Sequence, residues 1–151
     1  MIKTAYKFLE NLRLVKNSSE HTIRNYAIDL NSMKNFLEEY ILHFDTDQRA
    51  DKIRYDCLYE DRWRGRDDSI DLQKIDRKII RSFLAYLNEE SVSRRTIVRR
   101  LSSLRSFFKY AMAEEILEIN PIEEIERPKL DKGLPFYLSY EQIQVFFEQP
   151  D

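Results

Sequence analysis

The sequence has 151 residues, of which 42% are hydrophobic and 34% are charged, and this length predicts a single domain with one core. This composition excludes a disordered or collagen-like chain. Two glycines are too few for a glycine-rich phosphate loop. One cysteine cannot form an intrachain disulfide, and together with two histidines it is too little for a closed zinc site. The net charge of −2, from 25 basic and 27 acidic residues, does not by itself suggest a nucleic-acid partner.

Two amphipathic helices are predicted at the start of the chain. Apolar side chains at helical spacing predict the first over residues 2–15. Asn17, Ser18 and Ser19 then supply a break and an N-cap, because short polar side chains accept hydrogen bonds from the free N–H groups of a new helix. The second helix is predicted to continue to Ile41.

The helical pattern stops between residues 44 and 72. This segment has six bases and nine acids, a net charge of −3. Its charge density predicts a mobile insertion or a short, poorly packed helix around residues 53–59.

Two further helices are predicted after the insertion. Asp76 is a candidate N-cap for the third helix, whose apolar residues recur at helical spacing. A turn at residues 89–93 leads into the fourth helix, which is predicted over residues 94–115.

The end of the chain is predicted to leave this bundle. Asn120 caps a short fifth helix that has Pro121 at its first position, where a missing N–H costs nothing. Residues 127–138 contain two prolines and a glycine, which favours an extended linker. Ser139 then caps a last helix, so residues 139–151 are expected to be the first helix of a truncated second domain. A helix that folds back onto the first domain is the alternative.

The fourth helix carries the strongest functional signal. Between residues 92 and 112 the chain has six bases and no acid. On a helical wheel one face, separate from the apolar face, holds Arg95, Arg99, Ser102, Ser106 and Lys109. An α-helix fits the major groove of DNA, where Arg and Lys contact phosphates and an Arg or Thr near the helix start reaches base edges. The absence of any acid weakens the interpretation of a merely solvated face, so DNA or RNA binding and a solvated face both stay open at this point.

The first turns of the second helix offer a weaker second surface. His21, Thr22, Arg24 and Asn25 lie where free N–H groups and the helix dipole favour a phosphate. Helix capping explains His21 and Thr22 equally well. Arg105 lies at the border of the apolar face, which suggests a structural residue that extends to the surface or pairs with an acid of another helix.

Other functional classes find no support in the sequence. No apolar run approaches the length of a membrane span, and the first residues lack the apolar core of a signal peptide. Neither histidine lies in a catalytic motif. We therefore expect a cytoplasmic protein with no metal, no cofactor, no small-molecule substrate and no active site within these residues.

Several short segments resemble a known family. SSEHTIRNYAIDL at residues 18–30 resembles the S-x-x-T-x-x-x-Y-x-x-D-L segment of bacterial tyrosine recombinases of the XerC/XerD type. RLSSLRSFF at residues 100–108 resembles their R-L-S-A-L-R-S-F-F helix, slightly closer to the XerC form. The N-P, P-K, L-P and L-S pairs at residues 120, 128, 134 and 138 resemble marks along the family's linker. The resemblance covers nearly the whole chain except residues 44–72.

This resemblance implies an all-α fold, a SAM-like four- to five-helix orthogonal bundle over residues 1–126 that forms the core-binding domain. Such a domain is half of a C-shaped clamp around double-stranded DNA, with its second and fourth helices facing the major groove of a recombination half-site. The implied DNA contacts are Thr22, Arg24, Asn25, Arg94, Arg95, Thr96, Arg99, Ser102, Lys109 and, near the domain junction, Lys129.

The resemblance also implies a chemistry and partners. The family cuts and rejoins DNA through a 3′-phosphotyrosine intermediate formed in a second domain, so no catalytic residue is assigned here. The full-length parent is expected to resolve chromosome dimers at dif-like sites in a synaptic tetramer. There the first helix and residues 121–126, through Ile122 and Ile125, would pack against neighbouring recombinase protomers. Two alternatives stay open: a phage-type integrase, and a helical protein-interaction module with an acidic partner.

Overall fold

The computed structural model describes residues 1–126, and within this range it contains helices and no strands. The four α-helices are α1 Ile2–Leu14, α2 Glu20–Phe36, α3 Arg77–Glu89 and α4 Arg94–Ala113. A π-helical segment, Leu37–Ile41, continues α2 to the residue at which the second helix was predicted to end. The prediction of an all-α bundle is confirmed.

Each of the last three helices begins at a side-chain cap, and two of these caps, Ser19 and Asp76, were predicted from the sequence. Ser19, Asp76 and Ser93 accept hydrogen bonds from the backbone N–H three residues further on, at 3.1, 2.9 and 3.2 Å. These bonds satisfy one of the free donors in each first turn. The caps therefore fix where α2, α3 and α4 start.

Helices α3 and α4 end in the same way, although the chain has almost no glycine. Ser91 and Glu115 adopt positive φ angles of 58° and 60°. The N–H of the residue that follows each of them donates to a carbonyl five residues back, at 3.1 Å in α3 and 2.9 Å in α4. This is the Schellman arrangement, in which the left-handed position is usually glycine.

Aromatic side chains of α1, α3 and α4 form the centre of the core. Phe83, Phe107 and Phe108 are completely buried. Phe8 of α1 packs edge-on against Phe107, with 5.6 Å between ring centroids, and also edge-on against Tyr26 of α2 at 5.4 Å. Such T-shaped pairs are favourable beyond the apolar area that they bury. Helix α4 is thus anchored on its apolar side, which leaves its basic side at the surface.

The insertion at residues 44–72 differs from its prediction. It forms no helix over residues 53–59, and its only regular structure is three short 3-10 turns, Thr46–Gln48, Tyr59–Asp61 and Leu72–Lys74. Nor is it poorly packed, because Ile53, Ile70 and Leu72 are buried in the same core as the helices. The prediction of a short, poorly packed helix was therefore wrong, and the packing also argues against the other alternative, a mobile insertion.

Arg62 is the main anchor of this insertion. Its guanidinium donates to the Tyr6 hydroxyl at 2.7 Å and to the carbonyls of Lys52 and Asp51 at 2.9 and 2.8 Å. It also pairs with Asp67 at 2.9 Å, and both side chains are almost completely buried. One side chain with several donors thus replaces the regular hydrogen bonding that a charged, irregular segment lacks.

The predicted fifth helix is a turn. Asn120 accepts a hydrogen bond from the N–H of Ile122 at 3.1 Å, as its capping role predicted. Residues 121–124 form a hydrogen-bonded turn that does not continue into a helix. The predicted linker over residues 127–138, which includes Lys129, and the predicted helix over residues 139–151 lie outside the described residues.

Candidate nucleic-acid interface

Helices α2 and α4 run antiparallel and are joined by polar contacts along their length. Tyr26 donates to Ser106 at 3.4 Å, and Arg100 donates to Ser32 at 3.0 Å. Residue numbers rise along α2 while those of their partners fall along α4. The surface predicted to meet DNA is therefore built from two helices in a fixed register.

The centre of this contact is the carboxylate of Asp29, which is completely buried. It accepts hydrogen bonds from Ser103 at 2.6 Å and from Arg99 at 2.8 Å, and the Arg100 Nε lies 3.8 Å away. A buried carboxylate is tolerated only when it is paired and hydrogen-bonded. Asp29 therefore fastens α2 to α4 and does not contribute negative charge to the surface.

The guanidinium of Arg100 belongs to the structure of the bundle. Burial lowers its pKa, and the nearby Asp29 carboxylate opposes this shift. Its side chain is only 20% exposed. Arg100 thus stabilises the contact between α2 and α4 and is not counted among the exposed bases of α4.

The basic stripe of α4 consists of Arg95, Arg99, Ser102, Ser106 and Lys109. Arg95 and Lys109 are exposed, and Ser102 and Ser106 are half-buried. Arg99 remains 46% exposed although it pairs with Asp29. The stripe therefore offers cations to a polyanion, with small side chains between them that allow close approach.

Two of the predicted contact residues, Arg94 and Thr96, lie in the first turn of α4. The Thr96 hydroxyl accepts from Ser93 at 2.9 Å, beside the capping bond. Arg94 is half-buried, and its Nη1 is shielded from solvent without a hydrogen-bond partner among the described residues. It lies about 100° around the helix from Arg95, so the structure does not bring it into the basic stripe.

The predicted contacts of α2 lie in its first two turns, which the contact of Tyr26 with Ser106 places near the C-terminal end of α4. Thr22 accepts from Ser19 at 2.9 Å, and Asn25 is 3.2 Å from the His21 ring. Arg24 is exposed. Ser19 is the cap of α2, and the Thr22 hydroxyl supports it through this bond, while contact of these residues with DNA stays a prediction.

Arg105 has the structural role that its position on the wheel suggested. It donates to the carbonyl of Ile122 at 3.1 Å and also to that of Ile125. Both isoleucines are buried. Arg105 thus binds backbone carbonyls and holds the turn at residues 121–125 against α4. The apolar residues expected to meet a neighbouring protomer are buried within this chain.

Sequence reasoning missed two polar residues of α2. Asp29 was noted only as part of a motif, yet it holds α4 in place. Asn31 binds the backbone of Ile53 through two hydrogen bonds of 2.7 Å, and so fixes the insertion beside α2. Their signal in the sequence was an aspartate and an asparagine on either side of the apolar residue Leu30.

Within residues 1–126 no three His, Cys, Asp or Glu side chains lie close enough together to hold a metal ion. None of the helices in this range is long and apolar enough to cross a membrane.

Comparisons with known proteins agree with this architecture. The family model described as phage integrase SAM-like domain matches residues 2–127. The tyrosine recombinase XerC of Chlamydia pneumoniae is 36% identical over all 151 residues, and that of Chlamydia caviae is 34% identical over the same range. The XerC of Syntrophus aciditrophicus is 33% identical over 144 residues, 95% of the chain.

The chain spans less than half of these relatives, 46% of the two chlamydial proteins and 40% of the third. No solved structure matches the chain. The matched family, the helical bundle and the relatives together identify the class of domain. The chain belongs to the phage integrase SAM-like domain family, of the kind found in the N-terminal part of XerC tyrosine recombinases.

Proposed function

We propose that this chain is the DNA-binding, core-binding domain of a site-specific tyrosine recombinase. The observation that carries the proposal is the basic stripe of α4, whose three cations are exposed, which contains no acid and whose C-terminal end lies near the first turns of α2. Double-stranded DNA is the partner that such a stripe fits, because its phosphates attract Lys and Arg and its major groove admits a helix.

The contacts divide into two kinds. Arg99 and Lys109 bind phosphates, and Arg95 in the first turn of α4 reaches base edges. Thr22, Arg24 and Asn25 bind a phosphate at the start of α2. Ser102 allows close approach between them. We include three further contacts with the DNA backbone in the same proposal. They are Arg94 and Thr96 at the start of α4, and Lys129 beyond the described residues.

The proposal for the full-length protein rests on its relatives. They are tyrosine recombinases, and the chain matches less than half of each. We place strand cleavage through a 3′-phosphotyrosine in a domain outside this chain, with the parent protein resolving chromosome dimers at a dif-like site. It acts in the cytoplasm with other recombinase protomers in a tetramer.

A salt titration tests DNA binding. Fluorescence anisotropy with a labelled dif-like duplex measures the affinity of the 151-residue chain between 50 and 200 mM salt. If four bases contact phosphates, the logarithm of the affinity falls with a slope of about −3.6 against the logarithm of the salt concentration. No binding to duplex at 50 mM salt would overturn the proposal in favour of a protein-interaction module.

A second experiment separates the chromosomal and phage functions. The full-length parent is incubated with plasmids that carry either two dif-like sites or a pair of phage attachment sites. We expect recombination of the dif-like plasmid alone. Recombination of the attachment sites alone would identify a phage-type integrase.

A further inference from the structure

A groove of about 350 Å³ lies beside α2, on the side where the insertion packs. Helix α2 contributes Arg24, Ile28 and Asn31 to its walls, and the insertion contributes residues 52–56. Three bases and one acid line it, and they are Arg24, Lys52, Arg54 and Asp56. The family resemblance did not extend to this segment, so its function has to be inferred from the structure.

Hydrogen bonds to its backbone hold the insertion along this groove. Asn31 donates to the carbonyl of Ile53 and accepts from its N–H, both at 2.7 Å. The N–H of Arg54 donates to the Tyr6 hydroxyl at 2.9 Å. Ile53 is only 2% exposed, whereas Lys52 and Arg54 on either side of it are exposed. Anchoring Ile53 inward therefore presents its two basic neighbours to solvent.

Only some of the charged side chains in the groove are available to bind an anion. Arg54 pairs with Asp56 through two contacts of 3.0 and 3.1 Å, so these two side chains largely neutralise each other. Neither Lys52 nor Arg24 forms an ion pair with a described residue. The net charge of the four side chains is positive, and it is centred on Lys52 and Arg24.

The exposed face of α2 lies between this groove and α4. Asp29 points toward α4, and Asn31 points toward the insertion. The two positions are about 200° apart on the helix, and exposed residues including Arg24 and Ile28 fall in the remaining arc. A duplex on that face therefore has the basic stripe on one side and Lys52 on the other.

We propose that the insertion is a second DNA-contacting element, in which Lys52 and Arg24 bind phosphates on the side of α2 away from α4. This inference rests on the proposed function, since it assumes that α2 and α4 face a duplex. It assigns to the insertion a role that its negative overall charge conceals. Asn31 acts as a positioning residue, because it holds the segment that carries Lys52.

The test compares Lys52→Ala with Lys74→Ala in the 151-residue chain. Lys74 is also exposed, but it lines neither the groove nor the basic stripe. Binding to a labelled dif-like duplex is measured from 50 to 200 mM salt, together with thermal unfolding of each variant. Losing one phosphate contact lowers the salt slope by about 0.9. Raising the salt from 50 to 200 mM therefore reduces the affinity of Lys52→Ala by a factor about 3.5-fold smaller than the factor for wild type.

The outcomes separate the two proposals. If wild type binds with its full slope and Lys52→Ala matches Lys74→Ala, the insertion is not a DNA contact while the proposed function stands. If wild type does not bind, both proposals fail. Asn31→Ala provides a second variant with every charge retained. It should weaken binding and increase hydrogen exchange at the Ile53 amide, and faster exchange with unchanged binding would exclude a positioning role.

Discussion

Arg99 of α4 binds the buried carboxylate of Asp29 of α2 at 2.8 Å, while 46% of the Arg99 side chain remains in solvent. One guanidinium edge thus stabilises the bundle, and the rest of the side chain belongs to the basic stripe. Replacing Arg99 changes the fold and the surface together. The two functions have to be separated with other residues.

Asp29→Ala tests the structural half of this relationship. The substitution leaves Ser103 and Arg99 without their buried acceptor, and hydrogen bonds to charged groups contribute about 1.5 to 3 kcal/mol each. Because two such bonds are lost, we expect the free energy of unfolding to fall by about 3 to 6 kcal/mol. Urea denaturation followed by circular dichroism measures it. Asp61→Ala, at an exposed position, is the control, and equal midpoints for the two variants would contradict the prediction.

Lys109→Ala tests the surface half. Lys109 is exposed, and no ion pair joins it to a described residue, so its removal should leave the stability unchanged. If Lys109 contacts a phosphate, the salt slope of duplex binding decreases by about 0.9. Arg99→Ala should lower both the slope and the unfolding midpoint. A Lys109→Ala protein with the wild-type slope would remove Lys109 from the interface.

Arg95→Ala is expected to change sequence preference. Arg95 is exposed in the first turn of α4, where a side chain reaches base edges. Competition between a dif-like duplex and duplexes with single base-pair changes should show a loss of about 1 to 3 kcal/mol of discrimination at one position. A uniform loss of affinity for every duplex would instead identify Arg95 as a phosphate contact.

Arg62→Ala should be among the most damaging single substitutions in the insertion. It removes donors to Tyr6 and two carbonyls and leaves the Asp67 carboxylate unpaired. Burial raises the pKa of Asp67, and the Arg62 charge opposes that shift. Removing one partner of a buried ion pair costs about 3 to 5 kcal/mol. Chemical denaturation measures the loss.

Arg64→Ala is the matched control for Arg62→Ala. Arg64 is exposed and lies over the Tyr59 ring, 5.4 Å from its centroid. An exposed contact of this kind contributes only about 0.5 to 1 kcal/mol. Similar losses in the two variants would mean that Arg62 does not anchor the insertion.

Glu115→Gly should stabilise the protein. Glu115 has a φ of 60°, a left-handed conformation that costs an ordinary residue about 1 to 2 kcal/mol and glycine almost nothing. Glycine loses more chain entropy on folding, which leaves a net gain of about 0.5 to 1 kcal/mol. Thermal unfolding measures it against Glu118→Gly, whose φ is not positive, and a gain shared by both variants would contradict the explanation.

The helices were predictable because their signals are local. A cap and its N–H are three residues apart, and an apolar face repeats within a few turns. Ser19 and Asp76 therefore marked the starts of α2 and α3 correctly, and the predicted turn at residues 89–93 placed the start of α4. The membership of the chain in the phage integrase SAM-like domain family was predictable for the same reason, since two of the motifs that suggested it lie on α2 and α4.

The insertion was not predictable because its order comes from distant partners. Arg62 binds Tyr6 across 56 residues of sequence, and Ala50 donates its N–H to the buried carboxylate of Glu38 at 2.7 Å. Nothing in the local composition records such bonds, so a charged and irregular segment suggested mobility. The basic stripe was likewise only partly predictable. The face of α4 on which it lies follows from local spacing, but the pairing of Arg99 with the buried Asp29 depends on another helix and was not predicted.

The antiparallel register of α2 and α4 gives the candidate interface two chemically different ends. Arg95 and Lys109 are 14 residues apart, about 21 Å along the helix, which corresponds to about six base pairs at 3.4 Å each. Pairing of Tyr26 with Ser106 places the start of α2 near Lys109, far from Arg95. A domain bound along a groove in this way has a polarity. Turning it around on an asymmetric half-site would exchange the base-reading end with the phosphate-binding end, so the sequence of the site can dictate which way the protein points.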